Sequence, residues 1–236
     1  MPTTAWLKRR GQLQTYFDRT AVAAWERLTS DAPVGRIRQT VRAGRDRMRE
    51  TLLDWLPEDL RGARLLDAGC GTGALAVAAA RRGAQVLAID LSPTLVGLAR
   101  ERAPADLGPG AIDFRTGDML ELLGGDEENV DYVVAMDSLI HYPAREVAAT
   151  LGALAGRTRQ ALLFTFAPKT PALRLMHGIG RLFPSSQRAP AIEPVAESEL
   201  RRLLAGADGL QDWRAGRSSR IASGFYTSQA LEVVRA

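Results

Sequence analysis

Three acidic residues and one glycine run carry most of the chemistry legible in this sequence. Asp67 stands at the end of an apolar run and opens the segment Asp67-Ala68-Gly69-Cys70-Gly71-Thr72-Gly73. The glycines permit positive φ and let the backbone approach a ligand with no Cβ in the way. The helix expected to begin at Gly73-Ala74 offers free N–H groups and a partial positive charge at its N-terminus. Those suit the carboxylate of an amino-acid tail. Asp67 can hold the amino group of the same tail, directly or through water. Asp90 closes the next apolar run, followed by Leu91, and a carboxylate there can accept from both hydroxyls of a ribose. Asp118, in Arg115-Thr116-Gly117-Asp118-Met119, can accept from the exocyclic amine of an adenine, with Met119 packed near the ring. Cys70 reads as a small packing residue whose backbone touches the same ligand. The three acids fall at the C-terminal ends of three successive strands, where open α/β sheets bind their ligands.

The elements that must position these residues follow from hydrophobic patterning. Short apolar runs predict strands at Arg64 to Asp67, Gln85 to Asp90, Ile112 to Thr116, Tyr132 to Met136 and Ala161 to Phe166. Helical stretches separate them, and Pro93 sits in the first turn of one, where its missing N–H does no harm. Strand and helix in alternation argue for a parallel sheet covered on both faces. Ahead of this core, the pattern predicts helices over Gln12 to Leu28 and, after the turn Ser30-Asp31-Ala32-Pro33, over Val34 to Trp55. The second places Ile37, Val41, Met48 and Leu52 on one face, beside a stripe of Arg38, Arg42, Arg45 and Arg49. After Pro168 come a helical piece at Leu173 to Leu182, a proline-rich loop at Phe183 to Pro194 and a helix at Glu197 to Ala205. Two closing strands are expected around Trp213-Arg214 and at Gly224 to Val234. The chain thus divides into an N-terminal helical lid and substrate-binding segment (1–60), a ligand-binding core (61–168), and a C-terminal cap with closing antiparallel strands (169–236).

Composition bounds the rest. Of 236 residues, 46% are hydrophobic and 25% charged, as in ordinary globular domains. No run approaches the roughly 20 apolar residues of a membrane span, and the polar, basic start lacks the apolar stretch of a secretory signal. One cysteine fits a reducing, cytoplasmic setting, and with two histidines it makes a protein-built metal site improbable. The net charge is +4, and residues 1–50 hold eleven basic and five acidic side chains. That excess suits carboxylates, which arginine pairs bidentately, or peripheral contact with an anionic membrane. A nucleic-acid surface is a further reading of it, and the expectation here is that no nucleic acid is bound.

The three acids with the glycine run resemble class I S-adenosylmethionine methyltransferases over residues 63 to 168. The resemblance implies a Rossmann-like, mostly parallel seven-stranded sheet with helices on both faces, and a small helical insertion before the last strands. It also implies S-adenosylmethionine as cosubstrate. Asp131-Tyr132-Val133-Val134-Ala135-Met136-Asp137-Ser138-Leu139-Ile140-His141-Tyr142 is similar to the fourth motif of that class, whose loop lies under the reacting methyl. The spacing Gly69-x-Gly71-x-x-Ala74 also matches a dinucleotide fingerprint, so a nucleotide-dependent oxidoreductase stays open. Asp118 and the closing strand pair argue against it.

The flanks resemble a narrower family. Tyr16-Phe17-Asp18-Arg19-Thr20-Ala21, Trp25 to Leu28 and Val41-Arg42-Ala43-Gly44-Arg45 are similar to the magnesium-protoporphyrin O-methyltransferases of bacteriochlorophyll synthesis. So are Ser138-Leu139-Ile140-His141-Tyr142-Pro143 and the tail from His177-x-Ile179-Gly180 through Phe183-Pro184, Arg188-Ala189-Pro190 and Ile192. This implies methyl transfer to a propionate of magnesium-protoporphyrin IX, with magnesium present only inside the substrate and hand-over by a magnesium chelatase subunit. A propionate is already ionised at neutral pH, so alignment and exclusion of water are what the protein must supply. Tyr16, Phe17 and Trp25 suit an aromatic lid over a flat macrocycle. His141 suits either a hydrogen bond to the acceptor or an axial contact with its magnesium. Asp137 suits either the cofactor's amino group or the orientation of His141, and Arg42 faces the cofactor's carboxylate or a propionate. A methyltransferase acting on a quinone precursor would keep the same cofactor site and change the lid.

Overall fold

The computed structural model describes residues 4–16, 18, 35–122, 129–169 and 192–236. In chain order its elements are α1 (Thr4–Thr15), α2 (Arg36–Asp54), β1 (Arg64–Ala68), α3 (Ala74–Arg81), β2 (Gln85–Asp90), α4 (Pro93–Arg102), β3 (Ala111–Thr116) and α5 (Met119–Leu122). There follow β4 (Val130–Ala135), a 3₁₀ turn (Leu139–His141), α6 (Ala144–Ala155), β5 (Thr158–Phe166), α7 (Glu197–Ala205), β6 (Trp213–Ser223) and β7 (Tyr226–Arg235).

The seven strands form one sheet in the order β3-β2-β1-β4-β5-β7-β6. Strands β1 to β5 pair in parallel, and β7 runs antiparallel between β5 and β6. Strand β4 is buried along its whole length and β1 nearly so, as expected of central strands in a parallel sheet covered on both faces. On one face Leu66, Val133, Leu162 and Phe164 meet Val147 and Leu151 of α6. On the other, Leu65, Val134 and Leu163 meet Ala76 and Ala79 of α3 and Met48 and Leu52 of α2. Met48 and Leu52 are fully buried and Val41 packs partly buried against the same cluster, so this part of the apolar stripe of α2 lies in the core beside its arginines. The chain order reverses at β1 and β4, and the crevice beyond their C-terminal ends is the ligand position of open α/β sheets.

The first four expected strands and the last hold to within two residues at each end, and the fifth begins three residues early, at Thr158. Two elements differ more. Helix α1 begins at Thr4 rather than Gln12, because good helix formers fill that stretch without a core-facing period to reveal it. Strand β6 runs to Ser223, well beyond Trp213-Arg214. It is the sheet edge, rich in Arg and Ser, and such strands carry little apolar alternation. The helix expected at Leu173 to Leu182, His177, most of the proline-rich loop, Phe17 and residues 19–34 with Trp25 lie outside the described residues.

Candidate cofactor and acceptor site

The glycine loop is fastened to β2 before any ligand is considered. The N–H groups of Gly69 and Cys70 both donate to the Ile89 carbonyl, at 2.8 and 2.9 Å. Gly69, Gly71 and Gly73 take φ of 86°, 54° and 79°, the left-handed region that favours glycine. At Gly69 a Cβ would lie 2.3 Å from the Ser138 Cβ, so this glycine also admits the loop after β4. Ser138 secures that contact by donating to the Ala68 carbonyl at 2.7 Å. Gly73 caps α3 with no side-chain acceptor of its own, and in the first turn the Ala76 N–H is directed to the Asp67 carboxylate.

Asp67 is buried, and its Oδ2 has no hydrogen-bond partner within the protein. Burial, and then the charge of Asp90, push its carboxyl up to about 7. An oxygen placed this way fits a cationic amino group. Asp90 accepts from the N–H of Gly71 at 2.8 Å and of Ser92 at 2.9 Å. Burial pushes its pKa up, with those backbone donors opposing. Asp18 reaches the same corner, accepting from the Ser92 hydroxyl at 2.5 Å. Leu91 is half-buried between these groups.

Asp118 is 3% exposed, accepts from the Leu120 N–H at 2.9 Å and pairs with Arg10 of α1 at 3.2 Å. Arg10 also pairs with Glu121 at 2.6 Å. Met119 opens α5 and packs against the core. Thus α1 reaches the expected adenine acid, and Asp18 just beyond it reaches Ser92, two residues after the expected ribose acid. Cys70 is buried, and burial followed by the charges of Asp67 and Asp90 pushes its thiol above the ordinary range, in keeping with a packing role.

The loop after β4 turns at Asp137, whose φ is 55°. Its carboxylate accepts from Arg45 Nη1 at 2.7 Å, the Tyr226 hydroxyl at 3.2 Å to both oxygens, and the Ser228 hydroxyl at 3.1 Å. Its N–H donates to Thr165 Oγ1 at 2.7 Å, and that hydroxyl donates back to Oδ1 at 3.2 Å. Gly44 makes the approach possible, since a Cβ there would lie 2.5 Å from the Tyr226 ring. Arg45, three residues beyond Arg42, makes this ion pair, and Arg42 lies half-buried on the same helix. His141 is 7% exposed in the 3₁₀ turn, and the Ile140 carbonyl beside it accepts from the Glu193 N–H at 2.9 Å. Glu193 in turn pairs with Arg9 at 3.0 Å, tying the turn to α1. Tyr16 follows α1 and is half-buried, which raises its phenol pKa.

Sequence reasoning assigned no role to Arg10, Asp18, Arg45, Tyr226 or Ser228. Arg45 had a signal in the arginine stripe. Asp18 had one only as part of the Tyr16-Phe17-Asp18 resemblance, and Arg10, Tyr226 and Ser228 had none, because their partners lie far along the chain.

A crevice at the C-terminal ends of parallel strands with a sharply turned glycine loop, buried acids at Asp67 and Asp118, a half-buried one at Asp90 and an unpartnered carboxylate oxygen fits a ligand with an adenosine half and a zwitterionic amino-acid end. Joined to a closing strand that runs antiparallel, it places the protein among the class I S-adenosylmethionine-dependent methyltransferases. A model described as a methyltransferase domain matches residues 65–160, and one described as the magnesium-protoporphyrin IX methyltransferase C-terminus matches residues 135–235. The chain is 47% identical to the magnesium-protoporphyrin O-methyltransferase of Rhodobacter capsulatus, over 94% of its own length and 95% of the relative's. It is 34% identical to the Synechocystis protein of the same name, over 99% of each chain. The crystal structure of the Synechocystis magnesium protoporphyrin IX methyltransferase with bound SAH superposes with a TM-score of 0.81 at 31% identity, covering 96% of this chain and 100% of that one. The chain belongs to the magnesium-protoporphyrin O-methyltransferase family.

Proposed function

We propose that this protein transfers the methyl group of S-adenosylmethionine to a propionate carboxylate of magnesium-protoporphyrin IX, giving the monomethyl ester, in (bacterio)chlorophyll biosynthesis. The observation that carries the reading is family membership along nearly the whole chain, flanks included, since the acceptor is chosen outside the common core. The cofactor supplies an electrophilic methyl on a sulfonium, and the protein supplies position. In this reading Asp67 holds the amino group, the glycine loop at Gly69, Cys70, Gly71 and Gly73 follows the tail, and Asp90 with Leu91 faces the ribose. Asp118 and Met119 face the adenine. An ionised propionate needs no base. His141 therefore positions the acceptor, Tyr16 closes over the macrocycle from the α1 side, and Arg42 offers its guanidinium to a carboxylate. Asp137 turns the loop after β4, the loop that this reading places under the reacting methyl.

Two further parts of the proposal concern delivery. The substrate reaches the site from a magnesium chelatase subunit, and the protein works in the cytoplasm with its arginine-rich side against an anionic membrane. Among the described residues no helix is long and apolar enough to cross a membrane.

The test is incubation of the purified protein with S-adenosylmethionine and magnesium-protoporphyrin IX, followed by chromatography and mass analysis. The expected product is an ester one methyl group heavier than the substrate. No such ester, together with methylation of a phenolic quinone precursor, would overturn the acceptor and keep the cofactor site.

A further inference from the structure

The cluster around Asp137 is larger than holding one carboxylate requires. We infer that Arg45, Tyr226 and Ser228 are positioning residues, forming a clamp on Asp137 that sets the loop carrying the acceptor-facing residues against the glycine loop. The inference rests on the methyltransferase reading and deepens it.

Asp137 is the residue other than glycine with positive φ among those described. An L side chain is disfavoured there, so the turn must be held by its surroundings. The holding groups come from three directions: Arg45 from α2, Tyr226 and Ser228 from β7, and Thr165 from β5. The Asp137 side chain is 6% exposed, and a carboxylate so buried is costly unless a positive charge meets it, as Arg45 does at 2.7 Å. Burial, then the Asp137 charge, keeps the Tyr226 phenol protonated, so it donates to both oxygens.

What the turn delivers gives the cluster its meaning. The next residue, Ser138, packs against the place a Gly69 Cβ would take and donates to the Ala68 carbonyl. Three residues further is His141. A displaced Asp137 therefore shifts both the wall of the cofactor loop and the acceptor side. Gly44 and Arg45, adjacent on α2, act together, the glycine admitting the Tyr226 ring and the arginine closing the pair.

The experiment compares Tyr226→Phe, Ser228→Ala, Arg45→Met, Arg45→Lys, Asp137→Asn and the double variant Arg45→Met/Asp137→Asn with wild type. Turnover of magnesium-protoporphyrin at saturating cofactor, SAH affinity by calorimetry and hydrogen exchange of residues 137–142 are read in each. Tyr226→Phe and Arg45→Met should lower kcat roughly ten- to a hundredfold, with SAH affinity within about threefold of wild type. Arg45→Lys should recover part of the loss. The double variant should be no worse than Asp137→Asn alone, because the clamp acts as a unit. Exchange across 137–142 should quicken in every clamp variant whatever the acceptor, so a wild type inert towards magnesium-protoporphyrin refutes the substrate without touching the clamp. Unchanged exchange and kcat would overturn the inference. An SAH affinity that falls in step with kcat would make the cluster a cofactor ligand instead, and a raised KM at constant kcat would make Arg45 a substrate contact.

Discussion

Asp67 gives the cofactor site a pH dependence that can be worked out from its surroundings. Its carboxyl is held at about 7 by burial and by the Asp90 charge, yet the proposed bond to an ammonium needs the ionised form. Binding must then draw on the ionised fraction, about one half at pH 7 and about 3% at pH 5.5, so SAH affinity should weaken roughly fifteenfold between those values. Close to one proton should be released per ligand bound at the lower pH. Calorimetry in buffers of different ionisation enthalpy reads both quantities at once. Asp67→Asn should bind weakly with a much flatter profile, leaving only what Asp90 contributes through its own raised pKa. The sign for stability is opposite to that of a salt-bridged acid. A folded-state pKa above the unfolded one gives stability that is full below about pH 4 and is lost as pH rises through about 7. The ligand-free protein should therefore melt at lower temperature as pH rises over that window, and Asp67→Asn should remove most of the slope. Equal SAH affinity at pH 5.5 and 7 with no proton release would refute the assignment.

Asp90→Ala should weaken SAH binding tenfold or more by removing charge-assisted bonds of ~1.5–3 kcal/mol each, and calorimetry on a folded variant checks it. Because Asp90 also accepts from Gly71 and Ser92, the variant should melt somewhat below wild type. Gly69→Ala must place a Cβ 2.3 Å from the Ser138 Cβ at a φ of 86°, and thermal melts should show a loss of about 1–3 kcal/mol together with loss of SAH binding. Arg42→Lys keeps the charge but not the planar fork, so turnover should drop, and turnover equal to wild type would mark a solvated face. His141→Ala should lower turnover roughly ten- to a hundredfold with SAH affinity nearly intact, and His141→Asn should retain more. A Soret band of bound porphyrin that shifts in both variants would point to axial contact with magnesium, whereas wild-type turnover and spectrum would leave His141 a loop residue.

The three acids proposed for the cofactor were legible as a pattern because Asp67 and Asp90 stop apolar runs at the C-terminal ends of β1 and β2, and Asp118 follows the end of β3 by two residues. Glycine spacing added the loop, and its conformation followed from sterics that hold anywhere. What closes the site was not legible in the same way. Arg10 meets Asp118, Asp18 meets Ser92, and Arg45 meets Asp137, each across much of the chain. The arginine stripe was visible, but periodicity gives a face and not a partner, and it drew attention to Arg42 while the ion pair with Asp137 falls to Arg45. Tyr226 and Ser228 sit on a strand whose expected neighbour was a two-residue stub. The true edge strand is polar along one side, so the hairpin that aims these hydroxyls at Asp137 had no apolar pattern to announce it.

These closing contacts share an origin. Arg10 and Asp18 come from the N-terminal segment, Arg45 from α2, and Tyr226 and Ser228 from β7, all outside the βα units that carry the acids proposed for the cofactor. A carboxylate acceptor explains why such additions suffice. With the nucleophile already ionised, no group must be tuned to take a proton, and turnover depends on the angle and distance at which oxygen meets methyl. Angle and distance are set by rigid supports rather than by pKa, and a left-handed turn held from three elements is such a support. The same core could serve an acceptor that must lose a proton only if a base were added at the acceptor loop, and in the proposed chemistry the buried His141 is spared that task.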